Sequence, residues 1–280
     1  MKRLEKALSR GLVDLRENVP RDSRGKVLVV YLCVGDPSVE ESVELARACV
    51  KAGADVLELG VPFSDPTADG PAIARASQRA IARGGGLEAT LRAARAVRAA
   101  EPDVGIVLFG YYNPLFVRGE ERAAREAAEA GVDALLVVDL PIEEGATLRE
   151  AARAHGLGVV PLLAPTSSAE RVAAVREAAA GGGTPFVYYV SVTGVTGAGS
   201  VDARGAGDRA ASLRAELGLP VVVGFGIDSR DRARAAAAKS DGAVVGTAVV
   251  RLIEDGKTAA ERRGAVEKLV RELRAGVDEA

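Results

Sequence analysis

The chain has 280 residues, 48% hydrophobic and 27% charged, enough for one large core or two modest ones. Its 37 basic and 39 acidic side chains leave a net charge of −2 with no block of one sign, which argues against nucleic acid or an anionic membrane as the main partner. No apolar stretch approaches the roughly 18 residues that span a bilayer, and the charged, amphipathic start MKRLEKALSRGLVDLREN lacks the apolar segment of a signal peptide, so a cytoplasmic protein is expected.

The first 26 residues read as a helix. A strand is expected at Val27–Val34, then a helix at Val39–Ala52. The second strand, Asp55–Leu59, precedes two helices, Pro71–Arg83 and Leu87–Ala100. Strand three is Val104–Phe109 with helix Glu120–Ala130, and strand four is Ala134–Asp139 with helix Glu143–His155. Strand five, Gly158–Leu163, leads to helix Ser168–Ala179, and strand six, Phe186–Ser191, to Ala203–Leu217. Strand seven is Pro220–Gly224 with helix Ser229–Ala238. Strand eight is Gly242–Gly246 with helix Ala248–Asp255, and Ala259–Arg274 closes the chain. Each strand is a β-branched, near-continuous apolar run followed by Gly, Pro, Asp or Ser, the pattern of a parallel sheet covered on both faces. Eight such units in about 250 residues fit an α/β chain closed as a (β/α)8 TIM barrel better than an open sheet. The N-terminal helix then caps the barrel bottom. Val34-Gly35-Asp36-Pro37 after the first strand cannot supply a dinucleotide fingerprint. With no linker or low-complexity tract, residues 1–280 are expected to form one barrel domain.

The side-chain inventory narrows the chemistry. Cys33 and Cys49 lie in apolar-periodic segments and read as small buried residues. His155 is the only histidine and ends a helix on the face opposite a barrel's active end, so it reads as structural. A transition-metal site would need carboxylates almost alone. Seven lysines accompany thirty arginines, and no lysine falls at a strand end to serve as a Schiff-base nucleophile. Scarce Asn, Gln and Met fit either a heat-adapted source or the codon bias of a GC-rich genome.

Active sites of such barrels lie where strands end. In Val56-Leu57-Glu58-Leu59, alternation puts Val56 and Glu58 on one face. If the leucines pack under helices, Glu58 enters the barrel mouth, where an apolar setting raises its pKa and suits it to acid/base work; the alternative is a buried Glu paired with arginine. Asp69, in Asp69-Gly70-Pro71, is either a second site carboxylate or a helix N-cap. Glycine-rich turns follow strands six to eight, at Thr193–Gly199, Gly224–Ile227 and Gly246–Ala248. Three such turns in a row point to a phosphate held by backbone N–H groups. A phosphate ester cleaved by carboxylates alone needs its own electron sink, which an electron-rich aromatic ring protonating at carbon supplies.

The run Leu57-Glu58-Leu59-Gly60-Val61-Pro62-Phe63-Ser64-Asp65-Pro66-Thr67-Ala68-Asp69-Gly70-Pro71 resembles the signature of the tryptophan synthase alpha subunit family. Val34–Pro37, Ala52–Asp55, Tyr111–Pro114, Asp139–Pro141, Gly194–Gly197 and Gly224–Ile227 agree in order and spacing. The resemblance implies a lyase of L-tryptophan biosynthesis cleaving indole-3-glycerol phosphate to indole and glyceraldehyde 3-phosphate. It implies Glu58 as general acid/base, Asp69 as acceptor of the indole N–H, and Tyr188 beside the catalytic Glu. Tyr31, Phe109 and Tyr111 match positions lining the indole pocket. Thr196 matches a loop threonine that closes over Asp69, and Gly197, Gly226, Gly246 and Thr247 match phosphate-binding positions. It further implies no cofactor in this chain, and a pyridoxal-phosphate beta subunit as partner in an alpha2-beta2 complex. Three departures stand out. Thr247 replaces a frequent Ser, Val30–Val34 departs from the commoner Pro-Phe-hydrophobic-Thr pattern, and Ser191–Thr193 lacks the basic residue of some relatives. Indole-3-glycerol phosphate synthase, a rival barrel, relies on mouth lysines absent here. A non-catalytic barrel kept to activate a partner is the rival outside enzymology. The loops Pro62–Pro71, Tyr112–Phe116 and Asp139–Ile142 mix Pro with apolar residues and read as a docking rim, and the Gly/Ser/Thr-rich Asp69 and Thr196 loops as segments a partner could order.

Overall fold

The computed structural model describes residues 1–9, 25–190, 203–224 and 226–280. Its nine strands are β1 (Val27–Cys33), β2 (Val56–Gly60), β3 (Gly105–Gly110), β4 (Ala134–Val137), β5 (Gly158–Val159), β6 (Leu162–Leu163), β7 (Val187–Val190), β8 (Val221–Gly224) and β9 (Gly242–Val245). All pair in parallel, in the order β5-β4-β3-β2-β1-β9-β8-β7-β6.

The two ends of that order are one stretch of chain. The expected strand Gly158–Leu163 is divided at Val160-Pro161, its first part pairing with β4 and its second with β7. Proline has no N–H to give a ladder. Val160 N still donates to Leu135 O (2.9 Å), and Pro161 O accepts from Tyr188 N (3.0 Å). The sheet therefore closes through this divided strand into the expected eight-unit barrel.

The helices are α1 (Lys2–Ser9), α2 (Val39–Ala52), α3 (Pro71–Ile81), α4 (Leu87–Ala100), α5 (Tyr112–Arg118), α6 (Glu120–Glu129), α7 (Ala146–Ala154), α8 (Ala169–Ala180), α9 (Ala203–Leu217), α10 (Arg230–Ala237), α11 (Thr247–Asp255) and α12 (Ala259–Asp278). Helix α5 corrects the reading of Tyr112–Phe116 as a loop. Asn113-Pro114 looks like a turn, but Pro114 sits in the first turn of the helix, where its missing N–H has no intrahelical partner to lose.

Period-2 alternation divides the core in two. Leu28, Val30, Leu32, Leu57, Leu59, Ile106 and Leu108 pack outward under the helices. Val27, Val29, Val56, Val107, Ala134, Leu136, Val160, Phe186, Val222 and Val244 fill the barrel, joined by Leu4 and Leu8 of α1. Helix α1 thus plugs the bottom, as expected of the N-terminal helix, and residues 10–24 of that expected helix lie outside the described residues.

Three aspartates, each just before a strand, tie that bottom end together. Asp55 Oδ2 accepts from Leu28 N (2.9 Å) and Arg274 (2.7 Å). Asp133 accepts from Ile106 N (3.0 Å), Arg98 (2.8 Å) and Arg3 of α1 (3.0 Å). Asp241 accepts from Val221 N (2.8 Å) and Arg214 (3.0 Å). Each buried charge has a guanidinium and a strand N–H, as burial of a carboxylate requires. The single histidine, His155, closes α7 and meets Glu121 Oε1 at 2.6 Å on the surface, and both cysteines are buried, in keeping with their structural readings.

Candidate active site

At the opposite end of the barrel lies a carboxylate without such partners. Leu57 and Leu59 do pack outward and Val56 inward, so the pleat turns Glu58 into the barrel. Its side chain is 1% exposed, its neighbours across the strands are Tyr31 and Val107, and Oε1 has no hydrogen-bond partner among the described residues. No arginine reaches it there, so the alternative of a structural ion pair fails. Desolvation disfavours the charged form, and burial pushes the Glu58 carboxyl up to about 8.

Asp69 ends the loop between β2 and α3. Gly70, not Asp69, occupies the N-cap of α3, and no side chain caps that helix, so the capping alternative fails as well. Burial pushes the Asp69 carboxyl up to about 6 against the downward pull of a hydrogen bond with the Tyr111 hydroxyl. The same hydroxyl accepts from Ala68 N at 2.9 Å, and Phe63 stacks on the Tyr111 ring at 5.1 Å. Tyr111, just past β3, therefore holds the Asp69 loop through both its hydroxyl and its ring. The motif itself carried no signal for this role, which only the barrel's strand order creates.

Aromatic rings line the space between the carboxylates. Tyr31 and Phe109 meet edge to face at 5.1 Å, and the charges of Asp69 and Glu58 both act on the Tyr31 hydroxyl, whose pKa burial already raises. Tyr188 enters from β7, its hydroxyl likewise held neutral by burial and then by Glu58. Both tyrosines depend on glycine at a neighbouring strand end: a Cβ on Gly60 would collide with the Tyr31 hydroxyl, and one on Gly224 with that of Tyr188. Glu58, Asp69, Tyr31, Phe109, Tyr111 and Tyr188, chosen from the sequence, are thus brought close together at the strand ends.

The remaining candidates lie on the β8 and β9 side. Gly226 is exposed, with φ +62°, a left-handed conformation that favours glycine. Arg232 donates to the Gly226 carbonyl (3.0 Å) and to Asp228 (2.9 Å), so its guanidinium is committed to the turn itself. Gly246 is the N-cap of α11 and Thr247 its first residue, again with no capping side chain, which leaves the positive end of the helix dipole facing the mouth. Thr196 and Gly197 lie outside the described residues, as does Phe225. Among the described residues, no group of three or more His, Cys, Asp or Glu is arranged to hold a metal ion.

The family model described as tryptophan synthase alpha chain matches residues 19–278. The chain belongs to the tryptophan synthase alpha chain family. It is 48% identical over 257 residues to the tryptophan synthase alpha chain of Dechloromonas aromatica, covering 91% of this chain and 93% of that one. The alpha chain of Geobacter sulfurreducens is 47% identical over 252 residues, covering 90% and 93%. Among solved structures, tryptophan synthase subunit alpha from Legionella pneumophila superposes with a TM-score of 0.87 at 34% identity, covering all of both chains. A Mycobacterium tuberculosis tryptophan synthase chain gives 0.83 at 34% identity, covering 99% of this chain and 96% of that one. The tryptophan synthase alpha family consists of lyases that cleave indole-3-glycerol phosphate to indole and glyceraldehyde 3-phosphate in tryptophan biosynthesis, and the barrel seen here is the fold of its solved members. No described helix is long and apolar enough to cross a membrane.

Proposed function

We propose that Glu58 and Asp69 carry the alpha reaction between them, with the 280-residue chain acting as one barrel domain. The observation behind this is the buried, unpartnered Glu58 carboxyl, neutral at pH 7, in the same pocket as an Asp69 that is ionised there. Neutral Glu58 gives its proton to indole C3. The ring becomes an indolenine with positive charge at its nitrogen, and the Asp69 carboxylate accepts the N–H and stabilises that charge. Glu58, now a carboxylate, takes the proton of the glycerol hydroxyl next to the ring. The C–C bond breaks, its electron pair returns to the indole, and the hydroxyl carbon leaves as the aldehyde of glyceraldehyde 3-phosphate. One residue serves as acid and then as base.

In this reading Tyr31, Phe109 and Tyr111 sandwich the indole, and Tyr188 orients Glu58. Thr196, Gly197, Gly226, Gly246 and Thr247 hold the phosphate through backbone N–H groups and the α11 dipole. Gly226→Val is expected to raise KM about tenfold or more with kcat far less affected, since a β-branched residue resists positive φ and blocks close approach. An Arg232→Ala variant that lost phosphate binding altogether would overturn the backbone site in favour of a guanidinium.

The partner in this reading is a tryptophan synthase beta subunit carrying pyridoxal phosphate, in an alpha2-beta2 assembly in the cytoplasm. Indole is small, apolar and neutral, so direct transfer prevents its loss. The rim offers an apolar contact at Phe116, within the expected Tyr112–Phe116 segment, and at Val117 beside it. Leu115 is 5% exposed and Pro62 is buried, so a charge at either attacks the fold. Phe116 at 61% and Val117 at 76% exposure are the apolar residues that α5 presents to solvent. Titration with beta subunit is expected to raise the rate of indole formation by wild-type protein, and Phe116→Asp to weaken that activation at least tenfold while leaving the rate without partner within twofold. Activation indifferent to Phe116→Asp would remove α5 from the interface. The function itself is tested by following indole release from indole-3-glycerol phosphate with and without beta subunit; no release in either condition would overturn it.

A further inference from the structure

The two ends of the substrate site belong to different helices, and one side chain joins them. Asp69 lies two residues before α3, and Thr247 opens α11. Arg79, two turns into α3, donates to both oxygens of Asp36 (2.9 and 2.7 Å) in the loop after β1 and to Glu254 of α11 (2.7 Å). Arg75, one turn earlier on the same helix, grips Glu254 with two further bonds (2.8 and 2.7 Å). Asp36 is 3% exposed, so its pairing is desolvated and geometrically strict, unlike a surface ion pair. Beneath the arginines, Ile73 and Ala76 of α3 pack with Val250 of α11 and with Tyr31. None of the charged residues in this network was placed in the pocket, and Arg79, on α3, is bonded to Glu254 on α11.

We propose that Arg79 is a positioning residue that fixes the separation between Asp69 and the phosphate-holding end of α11. This rests on the roles given above to Asp69 and Thr247. A ligand reaching both ends gains from having them pre-set at the right distance, as a bivalent ligand does, whereas a ligand reaching one end gains nothing. A purely structural role for Arg79 would weaken both kinds of ligand together or neither. The test compares a non-cleavable analogue, indole joined through a propyl chain to phosphate, with glycerol 3-phosphate, using wild type, Arg79→Ala, Arg79→Lys and Glu254→Gln. The last variant leaves the buried Asp36–Arg79 pair in place and keeps the test valid if Arg79→Ala folds poorly. The expected result is a tenfold or greater loss of analogue affinity in Arg79→Ala and Glu254→Gln, with glycerol 3-phosphate affinity within twofold of wild type. Arg79→Lys should fall between, because an ammonium cannot form the fork. Equal losses of both ligands in Glu254→Gln, or no loss of either, would overturn the proposal alone. Wild-type protein that bound neither ligand would overturn the functional reading and this one with it.

Discussion

Replacing Glu58 with glutamine is expected to leave the barrel intact and to reduce kcat on the order of 10²- to 10⁴-fold, the usual loss when a required acid/base is removed. The amide keeps the shape of the side chain but carries no proton to C3 and accepts none from the hydroxyl. The same substitution should change how stability depends on pH. In the folded chain the Glu58 carboxyl holds its proton up to about 8, against 4.5 for an ordinary glutamate. Between those values the folded state keeps a proton that the unfolded chain has released, so wild-type stability declines as pH rises through that window. Glutamine has nothing to ionise. Measured from pH 5 to pH 9, the variant's melting temperature relative to wild type should therefore climb to about pH 8 and level off above it, with a gain on the order of a few kcal/mol at the plateau. Near-wild-type kcat in Glu58→Gln would remove the residue from the chemistry. A melting-temperature difference that stayed flat with pH would show that Glu58 is not held neutral.

For Asp69→Asn the expected loss in kcat is about 10²- to 10³-fold, the scale of removing one pre-organised group that faces developing charge. The amide oxygen keeps the link to Tyr111 but cannot balance a positive indolenine. The pH profile separates this from simple misplacement. Wild-type kcat/KM should fall below about pH 6, where Asp69 takes a proton, and above about pH 8, where Glu58 loses one, giving a bell whose limbs are apparent values for the pair. In Asp69→Asn the acid limb should vanish while the alkaline limb stays. An acid limb that persisted would assign it to another group.

Much of this site was legible because the barrel is periodic. The alternation Val56-Leu57-Glu58-Leu59 is enough to turn Glu58 inward once its leucines are known to pack outward, and the structure bears that pattern out. Asp69 was ambiguous for a physical reason: an Asp in a turn before Pro71 reads equally as a cap, and only the cap at Gly70 and the contact with Tyr111, 42 residues on, decide it. Helix α5 was hidden because Asn113-Pro114 reads as a turn in isolation, and with it the burial of Leu115. The division at Pro161 and the Arg79 network were out of reach of local pattern, since each depends on which strands and helices become neighbours.

The division at Pro161 also bears on how the chain folds and how ligand stabilises it. From β1 through β5 every pairing joins consecutive strands, and so does every pairing from β6 through β9. The exception is β1 with β9, where Val27–Val30 meet Gly242–Val245 across more than two hundred residues of sequence. Closing that seam carries the largest loop-closure entropy in the barrel and should come late in folding, after each run of neighbours has assembled. Glu58, Asp69, Tyr31 and Tyr111 belong to the first run, whereas Tyr188, Gly226, Gly246 and Thr247 belong to the second. Under the proposed roles, a substrate held by carboxylates at one end and by the glycine turns at the other would straddle both seams. Bound in that way, ligand would act as a non-covalent cross-link between the two runs, its binding energy adding to the stability of closure as RT ln(1 + [L]/Kd).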